Sequence, residues 1–144
     1  MASIHQEIVI EASPEHVWDA VRDVGAIHER LAPGFVTDTK LEDGARVVTF
    51  GNGMVARELI VDLDDAKRRL PWSVQASRSE PKESEGHRGG GRMTHHNASL
   101  QVFAEGEGRT RAVWIADLLP HELGPAISGM IAQGLEAIKK TLER

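Results

Sequence analysis

Glu58 and His96 are the residues of this sequence best suited to acid–base chemistry, since each stands in a strand-like run where pairing can turn it inward. Facing one apolar interior together, they form a polar pair that can fix a ligand hydroxyl or carbonyl. The same pair can move a proton to or from a bound molecule, which would make His96 and Glu58 catalytic. The structural alternative is a glutamate and a histidine hydrogen-bonded within a sheet. Other chemistries find less footing. Cysteine is absent, which removes disulfides, thiolate ligands and a cysteine nucleophile, and tyrosine is absent too. His95 and His96 are neighbours that point to opposite faces of a strand, and with His87 they make no HxH spacing, so no metal is expected. Gly89-Gly90-Gly91 lacks the lysine and the strand–loop–helix context of a phosphate loop. Ser128 lies in a helical pattern without the G-x-S-x-G turn of a hydrolase. No cofactor is expected.

The elements that must position these residues are legible along the chain. Ile4–Glu11 alternates as a half-buried strand. Ser13-Pro14-Glu15 is a helix start: a capping hydroxyl, a proline tolerated in the first turn and an acid at the positive end. Val17, Ala20, Val21 and Val24 follow at helical spacing beside Trp18, Gly25 closes that helix, and Ala26–Leu31 adds a short second one. Strands follow over Phe35–Leu41, Arg46–Phe50, Met54–Leu63, Arg69–Ser77, His95–Ala104 and Arg109–Leu118, mostly with turn signals between them. Short connections imply an antiparallel meander. Pro120 opens a last helix whose apolar stripe runs through Leu123, Ile127, Met130, Ile131, Leu135, Ile138 and Leu142. Gly124, Gly129 and Gly134 weaken that helix by about 1 kcal/mol each, so they serve close packing or leave room for a ligand. The polar stretch Ser79–Thr94 is long for a loop in a compact domain and reads as a flexible insertion or a cover for a cavity mouth.

Alternation assigns the faces. His96 shares a parity with Ala98, Leu100 and Val102, and Trp72 with Leu70 and Val74, so both point inward. Trp114 lies with Ala112 and Ala116, against a competing face holding Val113 and Ile115. Trp18 reads as core between the first helix and the sheet. On Met54–Leu63 the apolar count favours the face of Arg57 over that of Glu58.

The order strand, two short helices, six strands and a long helix resembles the START/Bet v 1-like (SRPBCC) superfamily, and within it the polyketide cyclase/dehydrase-like branch. The residues carrying the resemblance are Ile8-Val9-Ile10-Glu11-Ala12-Ser13-Pro14 with Val17-Trp18, and Arg57-Glu58 before Leu63-Asp64-Asp65. Asp117-Leu118-Leu119-Pro120, running on to Gly134-Leu135 and Lys139-Lys140-Thr141-Leu142, completes them. The resemblance implies an α+β helix-grip fold over residues 1–144: a curved antiparallel sheet of about seven strands wrapped around a long C-terminal helix. It also implies a cavity between sheet and helix. Plant hormone receptors of this fold carry a cavity glutamate in a similar context, which favours Glu58 inward. The cavity is then bounded by Trp72, Trp114, Ile127, Met130 and Ile131, with Glu58 and His96 as polar contacts. If the tryptophans fill it, there is no pocket.

Composition narrows the partners. The chain has 144 residues, 40% apolar and 27% charged, with a net charge of −5 spread along it. No basic stripe of the kind nucleic acid requires is visible, and no run approaches the roughly 20 apolar residues of a membrane span. The N-terminal residues do not read as a signal peptide, so a cytoplasmic protein, monomeric or homodimeric, is expected. Binding or carriage of a small apolar or aromatic molecule is the expected function. An aromatase/cyclase- or dehydratase-like enzyme using the same cavity is one alternative. A protein-interaction module working through Ser79–Thr94 or the outer sheet face is another.

Overall fold

The computed structural model describes residues 2–75 and 93–144. Apart from its last two residues, Ser79–Thr94 lies outside the described residues. Seven antiparallel strands form one sheet in the order β1-β7-β6-β5-β4-β3-β2. They are β1 (Ala2–Ile10), β2 (Val36–Glu42), β3 (Ala45–Phe50), β4 (Val55–Ile60), β5 (Arg69–Gln75), β6 (His95–Ala104) and β7 (Thr110–Leu119). The helical segment after β1 carries the chain to the far edge, and β2 to β7 meander back until β7 pairs with β1.

Helix α1 (Pro14–Arg22) starts where its residues predict, the Ser13 hydroxyl accepting the His16 amide at 3.1 Å. Its apolar side, Val17, Trp18, Ala20 and Val21, is buried. The expected second helix is a single π-helical turn, Ile27–Leu31. Trp18 donates its indole N–H to Asp65 at 2.8 Å, and Arg22 donates to the same carboxylate. That carboxylate ties α1 to the turn after β4, and Arg22 with Trp18 holds its pKa below the ordinary aspartate value. Thr110 is fully buried and its hydroxyl donates to the Ala12 carbonyl at 2.7 Å, closing the chain between β1 and α1. Thr110→Val keeps the shape and removes the bond, and chemical denaturation is expected to show a loss of about 1 kcal/mol.

Helix α2 (Gly124–Leu142) follows a 3₁₀ turn and runs along β1. Gln6 donates to the Ser128 carbonyl and hydroxyl at 2.8 Å, and Lys139 donates to the Val9 carbonyl at 2.8 Å. Glu143 accepts the Glu11 amide at 2.8 Å. These bonds use polar groups along β1, an edge strand that would otherwise leave them unpaired. Ile131, Leu135, Ile138 and Leu142 are buried against the sheet in a core with Ile10, Leu70, Leu100 and Leu118. This is the helix-grip α+β architecture. No helix among the described residues is long and apolar enough to cross a membrane.

Candidate functional site

A cavity of about 60 Å³ lies between the sheet and the C-terminal half of α2. Its walls are almost wholly apolar, and two charged side chains, Arg46 and Glu58, enter them. The hairpin β3–β4 brings these two together. Arg46 pairs directly across from Glu58 in the ladder, so both side chains leave the same face of the sheet. Arg46 Nε donates to Glu58 Oε1 at 2.8 Å, with the side chains only 5% and 8% exposed. The guanidinium lies 5.3 Å from the Trp72 ring centroid, and its Nη1 donates to the Val24 carbonyl at 3.4 Å.

Glu58 therefore faces the interior, and Arg57 faces outward to Glu42 and Gln75. The apolar count over Met54–Leu63 favoured Arg57 only because it included Val61 and Leu63, which lie beyond the end of β4. Arg46 escaped the sequence reading. Its signal was parity: Arg46 shares a face with Val48 and Phe50, both cavity residues, and an arginine in line with two large apolar residues on one strand face points inward.

Trp72 and Trp114 both line the cavity, meeting edge to face with centroids 5.7 Å apart. Trp114 Nε1 is buried without a hydrogen-bond partner among the described residues. Phe35 and Phe50 form a second edge-to-face pair, at 5.6 Å. Phe35 is held there by a close backbone crossing: Gly51 donates its amide to the Phe35 carbonyl at 2.9 Å, and a Cβ on Gly51 would collide with the Gly34 carbonyl oxygen. Gly134 forms the roof. A Cβ there would stand 3.0 Å from both the Phe35 and Trp114 rings, so the missing side chain makes room for those aromatics.

Ile127, Met130 and Ile131 are not among the cavity's lining residues. Ile131 is buried in the core, and Ile127 and Met130 are only partly buried. α2 contributes Gly134 and Ile138, both from its second half, to the cavity instead.

His96 shares the inner face but not the cavity lining. Glu58 pairs with Val74 and Ser73 with Asn97, so the next rung in register sets Val74 opposite His96. Two strand spacings, roughly 10 Å, therefore separate the glutamate and histidine backbones. His96 is paired with Leu118 on its other side, and its Nδ1 is buried without a partner among the described residues. Burial, reinforced by the charge of His95, lowers its pKa to about 4. The imidazole is neutral at pH 7. The glutamate's nearest charged partner is thus Arg46, not His96. No group of three or more potential metal ligands occurs among the described residues.

The comparisons agree with this architecture. No curated protein matches the sequence. An uncharacterized protein from Bacillus thuringiensis superposes with a TM-score of 0.81 at 18% identity, over 99% of this chain and 100% of that one. The Zhui aromatase/cyclase of a Streptomyces species gives 0.69 at 16% identity, over 99% and 94%. A START superfamily protein from Mycobacterium smegmatis gives 0.64 at 15% identity, over 98% and 94%. At these identities the likeness shows the fold. The family described as polyketide cyclase / dehydrase and lipid transport matches residues 1–143, and the chain, with its seven-stranded grip around α2, belongs to that family.

Proposed function

We propose that the protein binds a small, largely hydrophobic, ring-bearing molecule in the cavity between β3–β7 and α2. The observation that carries this reading is an apolar, aromatic-walled cavity with a buried ion pair set into its wall. A core built for stability alone gains little from such a pair, because desolvating two charges offsets most of their attraction. Family membership and the aromatase/cyclase relative support a ring-bearing ligand.

The cavity holds about 60 Å³ as it stands, below the roughly 300 Å³ at which ligand pockets begin. Binding therefore moves aromatic side chains. Phe35 and Trp114 stand beside the Gly134 notch, where the helix carries no side chain, so they are the rings expected to shift. Native mass spectrometry of the purified protein, then a thermal-shift screen of aromatic polyketides, sterols and fatty acids, tests the proposal. A ligand at a hundred times its Kd is expected to raise Tm by roughly 5–10 °C. Gly134→Leu places a branched side chain in the notch, and is expected to abolish that shift. No adduct and no shift across the panel would sink the proposal.

His96 and Glu58 are too far apart for direct proton exchange as they stand, and nothing in the geometry favours the paired acid–base reading over simple binding.

A further inference from the structure

Resting on that binding reading, we infer that the ligand is electrically neutral and presents a hydrogen-bond acceptor beside a donor, as a carboxamide, a lactam or an enolised hydroxy-ketone does. Three observations lead there. First, Arg46 and Glu58 cancel each other's charge at 2.8 Å in an environment that water barely reaches. A carboxylate ligand would compete with Glu58 for Arg46 and strand one anion in the core. An ammonium ligand would strand a cation there. Either outcome leaves a buried charge unpaired, the costly arrangement for any ion pair.

Second, the pair is only partly used. Among the described residues Arg46 donates from Nε and Nη1, and Glu58 accepts only at Oε1. The contact is single rather than the two-point fork that arginine and carboxylate commonly form. Among the described residues Nη2 remains as a donor and Oε2 as an acceptor. Covalent geometry keeps both within one head group's reach of the 2.8 Å contact. A ligand carbonyl answers the first and a ligand N–H or O–H answers the second. A hydrocarbon without a head group would leave both facing apolar atoms.

Third, the surroundings suit a flat body behind such a head. Trp72 carries the guanidinium over its ring and meets Trp114 edge to face, so the polar group and the aromatic wall are contiguous.

Small probes of matched size test this. The full chain is titrated at pH 7 with toluene, benzamide, benzoate and benzylamine, and binding is read by saturation-transfer and amide-shift NMR. Benzamide is expected to bind about ten-fold more tightly than each of the other three, a difference of one good hydrogen-bond pair. In Arg46→Met/Glu58→Leu that preference is expected to vanish and toluene to gain. Benzoate, benzylamine or toluene equalling benzamide on the native chain would overturn the inference and leave the binding reading intact. If none of the four binds while a ligand of the larger panel does, the inference falls alone; if neither the four nor the panel binds, the binding reading falls and takes the inference with it. The ranking on the native chain decides the matter even if the double variant does not fold.

Discussion

Glu58→Ala is expected to lower the unfolding free energy by about 3–5 kcal/mol, because it leaves the Arg46 guanidinium buried without its carboxylate. Arg46 is 4% exposed, and its other polar contacts among the described residues are the Trp72 ring and one long bond to the Val24 carbonyl. Neither supplies a counter-charge. Domains of this kind are stable by only about 5–15 kcal/mol, so the loss is a large share of the whole. Arg46→Met/Glu58→Leu removes both charges while keeping their volume, and is expected to stay within about 1 kcal/mol of the native chain or to exceed it. Urea denaturation of the three proteins at pH 7 checks this through the midpoint at constant slope. A Glu58→Ala protein as stable as the native chain would mean that water reaches the guanidinium. The contrast between the single and double variants separates a pair kept for a ligand from one that holds the fold.

The fold was legible because its signals are local. Ser13-Pro14 starts α1 where a hydroxyl and a proline must, and His95–Ala104 is a strand over the very range its alternation predicts. The cavity was legible only in part. Trp72 and Trp114 follow from parity within one strand. Arg46 needed the same reading applied to a charged residue, which habit assigns to solvent. The helix residues are a different case. The apolar stripe of α2 marks which side meets the sheet, and Ile131, Leu135 and Ile138 do so. Where the helix sits along β1 is marked by Gln6–Ser128 and Lys139–Val9, contacts between residues more than 100 positions apart. No spacing within the helix encodes that offset, so the lining passes from Ile127 and Met130 to Gly134 and Ile138. The separation of Glu58 from His96 has the same origin: both side chains leave one face of the sheet, and only strand order counts the strands between them.

His96 gives the fold a pH dependence whose sign is fixed by its burial. Its pKa is lowered to about 4 in the folded chain, against about 6.5 for an unfolded histidine. Between those values the unfolded chain binds a proton that the folded chain refuses, so unfolding becomes easier as pH falls. The contribution is fully present above pH 6.5 and is lost progressively down to pH 4. The full span would be about 3 kcal/mol, and the partial exposure of the ring reduces it to about 2–3 kcal/mol. Carboxylates complicate the acid limb, since Arg30 holds Asp19, Arg22 holds Asp65, and Lys139 holds Glu143 below their ordinary values. Those groups lose their partners' support at still lower pH and do so in any variant. His96→Leu isolates the histidine: its apolar side chain suits the inner face beside Leu118 and binds no proton. Denaturant midpoints for the native chain and the variant are expected to diverge steadily from pH 6.5 to 4, the native chain falling faster. Parallel curves would place a proton on His96 inside the folded protein, and with it a water or ligand at the unpartnered Nδ1.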